Sequence, residues 1–422
     1  MRSVNSMNLV CALGLLFALA GCTTPNDHRL FYSGRVSDEE LLLREEMKAA
    51  EDTDRNRLRL ELASVLQVGG KYSEAAELLS TADDSLEVLD YTSATIDDMA
   101  KFAFAVDDVW RASPPERLMI NIQNMINFVG LGELDGAAVE ARRLSILLSQ
   151  SDLAEDDSYP STFGWALAGI ILAARGDLEE AQDAFAHVPV GSGLRPSADL
   201  AGKGTVLLVT QLGQAPIRRQ VTYWLTDHNS PHPLNIPAMQ SRPSGASSAA
   251  VVLDGTDFGT VPTLLDLEAQ LMSRFKDELP LLVAAAAVQG GLRSAAAKEI
   301  IGDHNGVWAK FTRALAEVFL SSVQKADVRC WSLLAGRYGL MRLDVQPGTH
   351  ELSVTLSGSA VPLKYSVEVG AEELVLVNVV SGPTDGFREY PEPKGSNVTN
   401  DPAGMKALES IEKWSHLHSQ LR

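Results

Sequence analysis

The stretch Gly70-Lys-Tyr72-Ser-Glu-Ala75 returns as Gly132-Glu-Leu134-Asp-Gly-Ala137 and again as Gly176-Asp-Leu178-Glu-Glu-Ala181. Each copy closes one run of apolar residues at three- and four-residue spacing and opens another, which predicts a turn between two amphipathic helices. Glycine stops the first helix by entering the left-handed conformation. The acidic or polar residue that follows caps the next helix, and the alanine lets the paired helices approach closely. The third copy has Trp165, Gly169 and Leu172 upstream and Phe185 downstream. The first keeps Leu62, Ala63 and Leu66 before the turn and Leu79 and Ala82 after it, and the second has Met125 and Phe128 but lacks the small residue of the first helix.

These positions resemble the tetratricopeptide repeat, whose second helix carries a small residue where Ala75, Ala137 and Ala181 stand. The copies lie 62 and 44 residues apart, against about 34 in a regular array, so other helices interrupt them. Residues 37–190 are assigned to this helical-repeat domain, beginning with a helix capped by Ser37 or Asp38 that carries Leu41, Leu42 and Leu43. Tyr72, Trp110, Phe128 and Trp165 are the residues expected to line or support a partner-binding groove.

Beyond Pro189 the texture changes, and residues 191–381 are read as a mixed α/β domain. Thr205 to Thr210 is a compact β-run, Gly213 to Pro216 a turn, and Arg218 to Leu225 a second strand. His228 to Ser248 holds Pro231, Pro233, Pro237 and Pro243 and reads as a long loop. Val251 to Gly259 predicts a hairpin around Asp254-Gly255. Helices are expected again from about Leu264 to Gln324, with one apolar stripe at Phe311, Leu315, Val318 and Phe319. A small antiparallel β-unit follows over Leu340 to Val380. Residues 382–422 read as a linker and a terminal helix striped by Leu408, Ile411, Trp414, Leu417 and Leu421. The expected fold class is therefore α+β, mainly α: tetratricopeptide-like helical repeats followed by a mixed domain.

At the other end, Leu9 to Ala20 is a twelve-residue apolar run behind Arg2, too short to span a bilayer and typical of a signal peptide. Its close, Leu19-Ala20-Gly21-Cys22, resembles the bacterial lipobox. That resemblance implies removal of residues 1–21, lipidation of Cys22 and firm membrane attachment by several acyl chains. Thr23 and Thr24, in place of aspartate, imply sorting to the outer membrane. Residues 22–36 are then a lipidated tether. Cys11 leaves with the signal and Cys22 carries lipid, so Cys330 stands alone and the mature chain has no intramolecular disulfide.

The 422 residues are 45% hydrophobic, with 36 Lys+Arg against 55 Asp+Glu and a net charge of −19. Hydrophobicity at that level excludes wholesale disorder, and the negative balance argues against nucleic acid as a partner. Residues 36–110 alone hold 19 acidic and 7 basic residues. They form either a solvated face or an attraction for a basic protein segment.

Residues suited to chemistry are few. Asp227, His228 and His232 form a close His/carboxylate group, but imidazoles in a Pro-rich loop are usually just solvated. Asp254 to Asp257 lacks the later ligands of a calcium loop, and Asp303-His304 reads as a helix end. No nucleophile elbow, phosphate-binding loop or His-Glu-x-x-His occurs. No catalytic residue, metal or cofactor is expected. Asp327, Arg329 and Trp331 are the most notable polar–aromatic group, read as a structural junction or a partner contact.

Gly213 and Pro216, Phe275-Lys-Asp-Glu-Leu279-Pro280, Ala326-Asp327-Val-Arg329-Cys-Trp331-Ser-Leu333-Leu334 and Pro347-Gly348-Thr349 resemble a family of uncharacterised bacterial lipoproteins. The likeness spans roughly residues 50–380. It departs from the family at Ala335, where Leu-Pro usually continues the motif. It implies a cell-envelope location and a link to envelope assembly. The expected function is a periplasm-facing scaffold for a protein or peptide partner, with an envelope hydrolase or carbohydrate-binding protein as the alternative.

Overall fold

The three turn glycines take φ of 72° at Gly70, 72° at Gly132 and 94° at Gly176. At each turn the next residue's N–H reaches back to close the helix end: Lys71 to Leu66 O at 2.8 Å, Glu133 to Phe128 O at 2.9 Å and Asp177 to Leu172 O at 2.9 Å. The computed structural model describes residues 28–87, 109–149, 161–196, 202–227, 230–242, 245–289 and 326–381. Among these, α1 (Arg29–Tyr32) and α2 (Val36–Ala49) precede three helix hairpins. The hairpins are α3 (Arg55–Val68) with α4 (Tyr72–Glu87), α5 (Pro114–Gly130) with α6 (Leu134–Ser149), and α7 (Ser161–Arg175) with α8 (Leu178–Ala186). Consecutive helices pack in succession from α2 to α8. Ala75, Ala137 and Ala181 are buried at the contacts, as their small size requires.

The expected cap at Asp177 takes another form. Its side chain makes no capping bond and instead holds Arg142 and Arg175, tying two hairpins together. The helix expected to start at Ser37 or Asp38 starts at Val36, and Asp38 pairs with Arg35 at 2.6 Å.

The strands are β1 (Gly204–Leu212), β2 (Ile217–Asp227), β3 (Ser230–Gln240), β4 (Ala249–Leu253), β5 (Thr256–Thr260), β6 (Thr263–Asp266), β7 (Arg337–Val345), β8 (Gly348–Leu356), β9 (Leu363–Val369) and β10 (Leu374–Ser381), with α9 (Leu267–Gln289) after β6. They form a mixed sheet β10-β1-β7-β6, an antiparallel sheet β5-β4-β8-β9 and a ribbon β2-β3. Side chains alternate across β1. Val206 and Leu208 join a core shared with Val251, Val354 and Val367 of the second sheet, while Leu207 and Val209 join the helices' core. The order of layers is helices, mixed sheet, second sheet. Burial on both faces explains why β1 is a continuous apolar run.

The structure corrects five expectations. The polar tether does not extend to residue 36: His28 is 1% exposed and Phe31 9%, so the chain has docked by residue 28. The helices and the C-terminal half share one core, so residue 190 does not divide two independent units. Residues 340–380 are not a self-contained antiparallel unit, because β10 pairs in parallel with β1 while β8 and β9 lie in the other sheet. Finally, 230–240 is a strand, and 263–266 is a strand before the helix begins. Pro231, Pro233 and Pro237 of β3 face Thr226, Trp224 and Gln220. They lie two and four residues apart, so all three direct their backbone nitrogens to the same edge of the strand. In an antiparallel ladder that edge can face away from the partner, and the missing N–H donors then break no ladder bond.

The signal peptide, Cys22, the Phe311–Phe319 stripe, Asp303-His304, His228 and residues 382–422 lie outside the described residues.

Candidate functional site

Residues 326–336 form an irregular segment between the helices and the mixed sheet. Asp327, Cys330, Trp331, Ser332, Leu333 and Leu334 in it are all buried. Irregular backbone cannot satisfy its own polar groups away from water, so side chains must do it. Two helix carboxylates supply the acceptors. Glu61 of α3 takes the N–H of Ser332 at 2.8 Å and of Leu333 at 3.0 Å, and the Ser332 hydroxyl at 2.7 Å. Glu116 of α5 takes the Trp331 N–H at 2.7 Å while its other oxygen takes the Ser113 N–H and hydroxyl, each at 2.6 Å. Donors complete the other side: Trp110 Nε1 to Arg329 O at 3.3 Å, Arg218 to Arg329 O at 3.4 Å, and Arg242 to Ser332 O.

His28 closes the same cluster from the N-terminal side. Its Nδ1 lies 2.7 Å from Glu39 Oε1 and its Nε2 lies 2.8 Å from Ser332 Oγ, with Glu61 at 3.6 Å. Burial works to lower the His28 pKa, but the charges and hydrogen bonds of Glu61 and Glu39 outweigh it and hold it at about 9. Burial likewise works to raise Glu61, yet His28, Arg57 and Ser332 hold it down at about 2. The cluster is thus a charged pair maintained inside the protein, with its oxygens spent on backbone.

A second polar cluster lies beside it. Gln67 donates to Asn127 at 2.8 Å, Gln211 to Gln67 at 2.9 Å and to Asn378 at 3.1 Å, and Gln123 to Gln211 at 3.0 Å and Tyr338 at 3.2 Å. These amides couple α3 and α5 to β1, β7 and β10. Gln67, Gln123 and Gln211 border a cavity of about 20 Å³ lined also by Phe31, Tyr32 and Ser381, room for about one water.

The expected site residues fall into two sets. Asp327, Arg329 and Trp331 do come together at the junction. Arg329 Nη2 holds Asp327 at 2.7 Å and Nη1 donates to Thr53 O at 3.2 Å, while Trp331 Nε1 donates to Ser64 at 2.9 Å. They bind the chain to itself. Tyr72 and Phe128 are half-buried and Trp110 and Trp165 buried, each packed against its neighbours. A side chain at Gly130 would meet the Tyr72 ring at 2.8 Å, and one at Gly136 would meet the Phe128 ring at 2.6 Å, so both rings pack on glycine between helices. Trp165 stacks on His187 at 4.3 Å, and Trp110 is 2% exposed. Among the described residues, inward-facing residues of α3, α5 and α7 meet the junction segment and the mixed sheet: Ser64, Gln123 and Phe163 contact Trp331, Gln211 and Tyr338.

Burial pushes the Cys330 thiol up to about 11, which leaves it unreactive. Asp254 is taken by His350 at 2.6 Å and by the Glu351 N–H at 2.8 Å, and Asp257 by the Gly259 N–H at 2.8 Å. The acidic helices are cross-braced as well: Lys71 holds Glu40 at 2.8 Å, Arg44 holds Glu74 at 2.7 Å and Arg55 holds Asp52 at 2.7 Å. Among the described residues no group of three His, Cys, Asp or Glu is arranged for a metal ion, and no helix is long and apolar enough to cross a membrane. No family model, curated protein or solved structure matches the chain.

His28, Glu39, Glu61 and Glu116 are the site residues that sequence reasoning missed. Two signals were local. Ser113-Pro-Pro-Glu116 is a capping-box pattern, and Glu61 interrupts the apolar stripe of Leu58 and Val65.

Proposed function

We propose that this chain is a lipid-anchored envelope lipoprotein, attached through Cys22 to the outer membrane and facing the periplasm, that acts as a protein-interaction scaffold rather than a catalyst. The observation that carries this reading is the succession of three helix hairpins closed by one glycine turn. That arrangement fits a tetratricopeptide-like array, and such arrays present side chains in repeat to a partner. Kinship with the envelope-lipoprotein family, and a role in envelope assembly, belong to the same proposal.

Because the inner faces are spent on the chain's own sheet, the partner surface moves to the outer helices. Val139 and Ile146 stand seven residues apart on α6 and are 47% and 62% exposed, and Leu178 at the start of α8 is 60% exposed. Arg142, between them, is tied to Asp177 and Glu180 and links the two helices into one surface. A segment with apolar anchors would dock there by hydrophobic contact. The hydrolase or carbohydrate-binding alternative draws no support from the junction, whose carboxylates are engaged and whose cavity admits about one water.

The test is in-cell photocrosslinking from position 146 with mass spectrometry, beside the same probe at the exposed Glu368 on β9. A partner captured only from position 146 and lost on Val139→Asp supports the reading. Absence of any partner, together with glycan or peptide hydrolysis by the purified chain, refutes it.

A further inference from the structure

The first described residues locate the end of the body that the chain enters. His28 is held on both ring nitrogens, by Glu39 at 2.7 Å and Ser332 at 2.8 Å. The Phe31 N–H donates to Glu39 Oε2 at 3.3 Å, and the Tyr32 hydroxyl lies 3.5 Å from Ser332 O. Phe31 is buried in the helices' core, and the Arg242 guanidinium sits 5.6 Å above the Tyr32 ring. His28 adopts a φ of 49°, a left-handed conformation that a non-glycine residue keeps only where its surroundings hold it. These contacts fix the chain six residues after Cys22.

We propose that this docking makes the α1 end of the body a membrane-facing surface, held within about 20 Å of the phospholipid headgroups by the five residues 23–27, whose fully extended length sets that limit. The inference rests on the lipid-anchor reading of Cys22. If residues 28–35 were not docked, the leash would run from Cys22 to Val36 and reach about 50 Å. Arg29, Ser33, Gly34 and Arg35 are exposed at this end, with Arg35 paired to Asp38 at 2.6 Å, so the short leash, rather than surface charge, is what holds α1 toward the lipid.

The experiment is neutron reflectometry of the full-length lipidated protein on a supported bilayer of phosphatidylethanolamine and phosphatidylglycerol, with mass spectrometry of the Cys22 peptide. The wild type is expected to show protein density starting within about 20 Å of the headgroups. The double variant His28→Ala/Glu39→Gln should move outward by 10 Å or more, toward the limit of about 50 Å. A ten-residue Gly/Ser insertion after Thr24 leaves the docking contacts untouched and should also move the body outward, so the test does not depend on the folding of the double variant. Wild-type density centred well beyond the limit, or a standoff unchanged by the insertion, overturns the docking inference while leaving the anchor reading intact. A Cys22 peptide without lipid removes the anchor reading and this inference together.

Discussion

Among the described residues, two histidine–carboxylate pairs of nearly equal length lie in different surroundings. His28 and Glu39 meet at 2.7 Å with both side chains 1% exposed, whereas His350 and Asp254 meet at 2.6 Å with the aspartate half exposed. Distance therefore does not decide what each pair does. At the surface pair, water reaches the aspartate and competes for it, while the His350 side chain is 13% exposed, and salt screens the pair. In the interior, each charge must be met by protein groups or the site fails. His28 accordingly has Glu39, Glu61 and Ser332 around it, and Glu61 in turn has Arg57 at 3.7 Å and two backbone N–H groups. The buried pair belongs to a network that joins α1, α2, α3 and the 326–336 segment, while the surface pair pins one hairpin turn to the strand beside it.

Removing Glu61 is the strongest way to test that contrast. Glu61→Ala orphans the Ser332 and Leu333 N–H groups and strips His28 of its larger opposing charge. It should cost about 3–5 kcal/mol, read as a lowered denaturation midpoint in urea. A loss under about 1 kcal/mol would put the buried network on a par with surface pairs and break the comparison. Titration gives the next largest effect. The His28 pKa is raised to about 9, so the stability it contributes is complete below the unfolded value of 6.5 and is lost as pH rises through 9. Burial limits how far that shift converts to energy, and a loss of about 2–3 kcal/mol between pH 6 and 10 is expected from urea melts. His28→Ala should flatten the slope. Glu61, held at about 2, contributes above pH 4.5 and fails as pH falls toward 2, so the network is strongest between the two limits. Glu116→Ala should follow, at about 2–3 kcal/mol, because it removes a helix cap and the acceptor of the Trp331 N–H together.

Local features were legible in the sequence, and long-range ones were not. The turn glycines could be read because a positive φ is a demand of one residue on its own backbone, and Asp254-Gly255 could be read for the same reason, with φ of 49° and 80°. The continuous apolar run of β1 announced a strand. Its parallel pairing with β10, across more than 160 residues, left no mark that either segment carries alone. β3 was hidden by prolines, because composition counts them while only their shared edge decides whether a strand survives. At the junction, Asp327, Arg329 and Trp331 stood out through their own chemistry. Their partners Glu61 and Glu116 lie 215 to 272 residues away from the junction backbone groups they hold, beyond any spacing rule.

The surface pair should show the smallest effect, and its value lies in being a controlled failure. Asp254 Oδ2 faces His350 Nδ1 while Oδ1 takes the Glu351 N–H, and His350 Nε2 reaches Gln346 O at 2.7 Å. The hydrogen bond that His350 donates to Asp254 raises the His350 pKa, so the sign of its pH dependence matches that of His28: the contribution fades as pH rises. Solvent reaches this site, and the other bonds of the turn remain when the imidazole is removed. His350→Ala is therefore expected to move the thermal midpoint by less than about 2 °C, with the difference vanishing in 0.5 M salt. A midpoint shift as large as that of Glu61→Ala, or one that survives salt, would mean that the β4–β5 turn and β8 depend on this contact, and that burial is not what separates the two pairs.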